Sequence, residues 1–162
     1  MSAQRESLPF AHFVLQPMRE TDLDEVMEIE QRSFRSPWSR PVFLEELGRP
    51  WAFLDVVRTS GEGGVVAFCN YWRVADEVHL LKVATHPDFR GLGLGARLLG
   101  HICSFGRTHA CRLVTLEVRR SNETAQRLYR RFGFQSVGIR PNYYVDDNED
   151  ALVMLRSLEP ET

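Results

Sequence analysis

The stretch HPDFRGLGLGARLLG, residues 86–100, sets Gly91, Gly93 and Gly95 directly before a leucine-rich helical pattern. Glycine inside a helix costs about 1 kcal/mol relative to alanine, so three of them at a helix start imply a backbone that something approaches closely. A P-loop is excluded, because no Gly-Lys-Ser/Thr follows. A dinucleotide fingerprint fits locally: Gly91, Gly93 and Ala96 match G-x-G-x-x-G/A, and Glu117 lies about 20 residues further on. Too little chain follows for a second mononucleotide-binding half. A pyrophosphate cradle of another kind also fits. In R-G-L-G-L-G, from Arg90 to Gly95, glycine amides reach phosphate oxygens and the helix N-terminus favours their charge. The plain alternative is a glycine-rich turn.

The chain has 162 residues, the length of one domain with a real core. A formal net charge of −2 argues against nucleic-acid binding driven by bulk charge. Three cysteines, an odd number without a dense framework, fit a reducing cytoplasm. Neither a signal peptide nor a membrane-spanning run is expected. Residues 1–11 read as a loose polar leader and 12–162 as a single domain. Lys82 is the only lysine among the basic residues.

HFVLQPM (12–18) reads as a strand. Thr21 opens a helix, with Asp24 completing a weak capping box. Its apolar stripe is Leu23, Val26 and Met27, and Glu30 falls on that stripe. A second helix is expected from about Arg40 to Leu47, with Ser39 as cap, Pro41 in the first turn and Gly48 at the end. WAFLDVVR (51–58), VVAFCNYWRV (65–74) and EVHLLKVAT (77–85) are strand-like. The helix after the glycines carries Leu94, Leu98, Leu99, Ile102 and Phe105 on one face. RLVTLEV (112–118) is a strand, and Asn122 caps a helix carrying Ala125, Leu128, Tyr129 and Phe132. FQSVGIR (134–140) and EDALVMLRSL (149–158) close as strands around a polar loop. The strand–helix–strand units require some parallel pairing and the tight turns antiparallel pairing, so the fold is α/β with a mixed sheet.

In LEVRRSNETAQRLYRRFGF (116–134), Glu117 lies late in a strand and Tyr129 about two turns down the next helix. A carboxylate and a phenol near one sheet edge can serve as base and acid. Taken singly, they read as a solvated glutamate and a core tyrosine. Together with R-G-L-G-L-G, the segment SNETAQRLYRRFGF resembles the GCN5-related N-acetyltransferase (GNAT) superfamily and its N-x-x-A-x-x-L-Y-x-x-x-G-F motif. IEQRSFRSPWS (29–39), LEVRRSN (116–122) and RPNYY (140–144) are similar to segments of the RimI-like N-terminal acetyltransferases. The resemblance covers about residues 15–158.

The resemblance implies a mixed, mostly antiparallel sheet of about seven strands, splayed between the fourth and fifth, with about four helices. It implies acetyl-CoA as co-substrate and no metal. The pantetheine arm and thioester would bond the backbone of Val83, Ala84 and Thr85. The pyrophosphate would lie on Arg90, Gly91, Leu92, Gly93, Leu94, Gly95 and Ala96, and Asn122 would contact the coenzyme. Glu117 matches the general base and Tyr129 the acid. Trp38, Tyr143 and Tyr144 would flank the acceptor. Lys82 stands where superfamily members often carry asparagine, and either faces solvent or alters acceptor choice. The implied acceptor is a protein N-terminus, the alanine of a basic small-subunit ribosomal protein. Alternatives are a small-molecule amine or a non-catalytic acyl-CoA sensor. Direct nucleic-acid or membrane contact is not expected, and the protein is expected to be a monomer or weak dimer.

The chemistry agrees with that acceptor. An α-amine with a pKa near 7.8 is about one-third neutral at pH 7.5, whereas a lysine near 10.4 is neutral only about one part in a thousand. The attack develops an oxyanion, for which the Val83 amide is the donor at hand. Glu30, a carboxylate on an apolar stripe, is costly unless paired or functional, and is expected to contact the incoming amine or peptide. The acidic run DDNED (146–150) is either a solvated tip or an attractor of basic substrate. His101, Cys103, His109 and Cys111 do not make a metal site, since His101 and Cys103 point about 200° apart on a helix.

Overall fold

Strand periodicity, helix stripes and turn residues produce eleven elements in the expected order. They are β1 (Phe13–Pro17), α1 (Leu23–Ser33), α2 (Arg40–Leu47), β2 (Ala52–Thr59), β3 (Val65–Val74), β4 (Glu77–Thr85), α3 (Leu94–Thr108), β5 (Leu113–Arg119), α4 (Glu123–Arg131), β6 (Gln135–Tyr144) and β7 (Glu149–Ser157). The structure is a computed structural model and describes residues 12–60 and 63–159. The polar leader, 1–11, lies outside the described residues. Strand order is β1-β2-β3-β4-β5-β7-β6. β4 and β5 are parallel, while β1/β2, β5/β7 and β6/β7 are antiparallel, so the sheet is mixed as the sequence requires. Among the described residues no helix is long and apolar enough to cross a membrane.

The chain divides into two compact units, Met1–Tyr71 with Lys82–Leu98, and Trp72–Leu81 with Leu99–Thr162. In the first, Leu23, Val26 and Ile29 of α1 and Phe43 of α2 pack on Leu54, Val56, Val65, Phe68 and Ala84. Glu30 is buried on the same α1 stripe, whereas Met27 is only half-buried. Helix α1 begins two residues later than expected, behind a 3-10 turn over Glu20–Asp22. The Thr21–Asp24 capping box does not form. Asp22 instead accepts the Arg19 N–H at 2.9 Å and pairs with the buried Arg58 at 2.5 Å, which commits the entry to α1. Ser39 sits at the α2 N-cap without its hydroxyl making a cap bond.

In the second unit, β5 alternates buried Val114, Leu116 and Val118 with half-buried residues. The α3 stripe turns from Ile102 and Cys103 to Gly106, leaving Phe105 half-buried against His109 rather than in the core. A Cβ on Gly106 would stand 2.5 Å from Leu158 Cδ1 and 3.4 Å from Val78 Cγ2, so glycine sets this close approach. Asn122 caps α4 by accepting the Ala125 N–H at 3.1 Å. Strand β6 runs past the expected end to Tyr144. A register shift between Arg140 and Tyr144, with Asn142 at φ +53°, lets pairing resume at Tyr144↔Glu149.

The β4/β5 ladder runs from Glu77↔Leu113 to Leu80↔Leu116, and each strand continues beyond it, β4 over 81–85 and β5 over 117–119. The turn after β5 is fixed by Gln126, buried on α4, whose Nε2 donates to the carbonyls of Arg119 (3.1 Å) and Arg120 (2.9 Å). Replacing Gln126 with leucine strands two carbonyls without a donor. Gln126→Leu is expected to lower stability by about 1–3 kcal/mol, read as a lower urea midpoint. An unchanged midpoint would mean that water satisfies these carbonyls.

Candidate active site

In the first unit the glycine segment has the geometry its sequence suggests. Gly91 (φ +81°) and Gly93 (φ +79°) are left-handed, whereas Gly95 falls within α3 and is not. A Cβ on Gly91 would meet nothing within 4 Å, so backbone strain and not crowding selects glycine there. Left-handed residues alternating with ordinary ones turn successive N–H groups to one side, the arrangement that binds anions. The helix behind them adds its N-terminal dipole. Leu94 is buried, the Arg97 N–H bonds the Gly93 carbonyl at 3.0 Å, and the Arg97 guanidinium holds the Phe13 carbonyl at 2.9 Å. Residues 91–96 therefore fit a diphosphate. Arg90 turns its side chain back, with Nε donating to the Thr85 carbonyl (3.1 Å) and Nη2 lying 3.4 Å from Ser33 Oγ. It braces the end of β4, where Ala84 is buried and Val83 and Thr85 are half-buried.

Glu30 and Lys82 form a buried ion pair. Glu30 is 0% exposed and the Lys82 side chain 8%. The same Oε2 accepts the Trp38 N–H at 2.9 Å, and Oε1 has no hydrogen-bond partner among the described residues. The ammonium lies 4.1 Å from the Phe34 ring centroid and 4.2 Å from that of Trp38. Burial lowers the Lys82 pKa, against the opposing pull of Glu30. Lys82 does not face solvent. Glu30, expected to meet the incoming amine, already holds an ammonium supplied by β4. A separate cleft of about 320 Å³ lies over Glu25, Glu28, His86, Asp88 and Phe89. Its three carboxylates make it unsuited to a diphosphate.

In the second unit Glu117 extends from β5, with its side chain 8% exposed. The His79 Nε2–Glu117 Oε2 distance is 2.6 Å, and Arg140 Nη2 lies 3.5 Å from Oε1. The His79 hydrogen bond is the main cause holding the Glu117 pKa below its ordinary value, against burial, with the charges of His79 and Arg140 adding to it. His79 also packs edge-on against Trp72, ring centroids 5.9 Å apart. Tyr129 is buried beside Phe134, and burial pushes its phenol up to about 12. Asn122 uses its Oδ1 on the α4 cap.

Tyr143 and Tyr144 stand edge-on to one another at 5.0 Å. Arg119 lies 4.1 Å over Tyr144 and Arg140 5.6 Å over Tyr143. Arg119 also binds Asp146, Asp147 and Glu149, while Asp150 accepts the Asn142 N–H at 3.0 Å and lies 3.5 Å from Arg120. The acidic tip is therefore tied to arginines of its own unit. Sequence reasoning missed His79, Arg119 and Arg140 as partners, and Lys82 as the partner of Glu30. Cys103 and Cys111 are buried, and no group of three metal-ligating side chains forms among the described residues.

Removing one member of a buried ion pair leaves an uncompensated charge. Lys82→Met is expected to cost about 3–5 kcal/mol, and Glu30→Gln/Lys82→Met to recover most of it. Chemical denaturation of both variants checks this; a double variant no more stable than the single would remove the pair from the account.

Residues 23–134 match the family model described as the acetyltransferase (GNAT) family. A Bacillus subtilis relative is 41% identical over 138 residues, 85% of this chain and 90% of that protein. A Salmonella typhimurium protein named ribosomal protein bS18-alanine N-acetyltransferase is 37% identical over 136 residues, 83% of this chain and 90% of its own. Among solved structures, a ribosomal-protein alanine N-acetyltransferase from Escherichia coli superposes with a TM-score of 0.81 at 32% identity, covering 93% of this chain and 96% of that one. Ard1 from Thermoplasma volcanium superposes at 0.84 with 26% identity, covering 92% and 99%. The glycine cradle, the mixed sheet and these matches together establish that the chain is an N-acetyltransferase of the GNAT family.

Proposed function

We propose that the protein acetylates the N-terminal α-amine of a protein, with the N-terminal alanine of a ribosomal protein as the favoured acceptor. The observation that carries this reading is the Glu117–His79 pair, an ionised carboxylate hydrogen-bonded to an imidazole. The relatives named as ribosomal-protein alanine N-acetyltransferases give the acceptor class. Acetyl-CoA supplies the acetyl group as a thioester. Residues 90–96 hold its diphosphate through backbone N–H groups, and the backbone of Val83, Ala84 and Thr85 lies along its pantetheine arm. The Asn122 amide nitrogen makes a further contact. Trp38, Tyr143 and Tyr144 grip the acceptor, and Glu30 acts on it through Trp38.

The magnitudes decide how the two ionisable groups act. Glu117, held below an ordinary carboxylate, is too weak a base to strip an ammonium near 7.8. The acceptor enters as its neutral fraction, about one-third at pH 7.5. Glu117 orients the amine N–H and takes the proton once attack has made that nitrogen acidic, with His79 sharing it across the short hydrogen bond. The Val83 amide stabilises the carbonyl oxygen. Tyr129 keeps its proton at neutral pH and points a donor toward the departing sulfur. A phenol near 12 facing a thiol near 8.5 contributes through hydrogen-bond donation more than through full transfer.

The test is release of free coenzyme A from acetyl-CoA with basic peptides that begin with Ala, Ser, Met or a blocked residue, each carrying an internal lysine. Acetylation of free N-termini only, with alanine best, is the expected result. Turnover of small amines but not peptides would replace this reading, and acetyl-CoA binding without turnover would make the protein a sensor. Glu117→Gln and Tyr129→Phe are each expected to lower kcat/KM by about 10²–10⁴-fold.

A pH profile tests the His79 contact. The native Glu117 pKa is depressed, so removing His79 raises it and less of the carboxylate is ionised in acid. The α-amine near 7.8 sets the first acid break of kcat/KM, and the second, lower break from Glu117 is expected to move to higher pH in His79→Ala. An unmoved second break would mean that His79 does not set the state of Glu117.

A further inference from the structure

Lys82, the chain's only lysine, is seated among three groups that together bind an ammonium. The Glu30 carboxylate pairs with it, and the Phe34 and Trp38 rings present their faces at 4.1 and 4.2 Å. The Trp38 N–H donates to the same carboxylate oxygen at 2.9 Å, and the Phe34 N–H closes α1 on the Glu30 carbonyl at 3.1 Å. These contacts of Phe34 and Trp38 thus converge on Glu30 and one ammonium. A desolvated cation facing aromatic rings is worth more than an exposed one, and this cation is almost fully buried. The remaining carboxylate oxygen, Oε1, is buried with no hydrogen-bond partner among the described residues. The cage has the composition of a site for a primary ammonium, and β4 fills it from within.

We propose that Lys82 is a positioning residue for the acceptor amine: it occupies the Glu30–Phe34–Trp38 cage, sets Trp38, and prevents the acceptor from settling on Glu30 as an unreactive ammonium. The inference rests on the reading of Trp38 as an acceptor-contacting residue. Its chemical logic is that only the neutral amine attacks a thioester. A buried carboxylate open to the acceptor would hold the protonated form, and an internal ammonium removes that trap. The protein keeps the cage as a rigid support while leaving the acceptor nitrogen uncharged.

Lys82→Ala removes the propylammonium portion of the side chain, so n-propylammonium is the matching probe. With an alanine-first peptide and mass-spectrometric detection of the acetylated N-terminus, this variant is expected to show an acceptor kcat/KM lowered about tenfold as Trp38 loses its support. Its KM for acetyl-CoA is expected to stay unchanged. Added n-propylammonium is expected to raise the peptide kcat/KM toward wild type, while sodium chloride at equal ionic strength does not. Calorimetry is expected to show n-propylammonium binding to Lys82→Ala and not to wild type. Glu30→Gln/Lys82→Met, which keeps the volume without the charges, serves if the alanine variant does not fold, and its acceptor kcat/KM is also expected to fall.

An acceptor kcat/KM unchanged in both variants would overturn the proposal. So would a fall that n-propylammonium leaves in place although the variant is folded, which marks a structural role alone. A fall in acceptor KM with kcat kept would overturn it too, by showing that Glu30 binds the acceptor productively. Wild-type protein inactive on every peptide would defeat the functional reading instead, and the calorimetric comparison would still decide whether the cage binds an ammonium.

Discussion

A carboxylate with no exposed surface must meet a cation, and in the first unit that requirement falls on Glu30. The cation is Lys82, itself buried, so its ammonium needs partners besides the carboxylate. The faces of Phe34 and Trp38 supply them. The Trp38 amide then completes the shell of Glu30 Oε2. One charged residue on an apolar helix stripe therefore dictates the identity of a β4 residue and the course of the chain between two helices. The buried Asp22–Arg58 pair works the same way at the other end of α1, where it sets the entry to the helix.

Glu117 is the contrasting case. It too is nearly buried, but its partners are an imidazole and an exposed guanidinium rather than a sequestered ammonium. Those partners hold it ionised without enclosing it. Two glutamates of similar burial thus stand in opposite settings: Glu30 is closed in by its ammonium and rings, whereas Glu117 faces an exposed guanidinium.

Elements with a strong period were legible in the sequence, and α2, β3 and β4 fall where their patterns put them. The start of α1 was not, because Thr21 and Asp24 looked like a cap while Asp22 was committed to Arg58, 36 residues away. The end of β6 was hidden by a register shift that no local pattern announces. The site divides similarly. The glycine positions, Glu117, Asn122 and Tyr129 stand in a recognisable motif, and Glu30 was conspicuous as a charge on an apolar stripe. Their partners were not legible. His79 and Glu117 are 38 residues apart, Glu30 and Lys82 are 52 apart, and only packing and strand register bring them together. The parallel pairing His79↔Thr115 puts Glu117, two residues on, on the same strand face as His79. That inference was open only once the register was known.

Each unit pins its own aromatic residues with cations that are themselves anchored on carboxylates. Lys82, held by Glu30, fixes Phe34 and Trp38. Arg119, held by Asp146, Asp147 and Glu149, lies over Tyr144, and Arg140, held by Glu117, lies over Tyr143. The acidic run that read as a free tip or a lure for basic substrate is largely spent on this support. Such bracing has a physical use. Side chains immobilised before a ligand arrives lose less freedom on binding, so less of the contact energy goes to ordering them. Arg140 touches both the Glu117 carboxylate and the Tyr143 ring, so a change in the charge of Glu117 is felt by Tyr143, whose phenol that charge raises after the larger effect of burial.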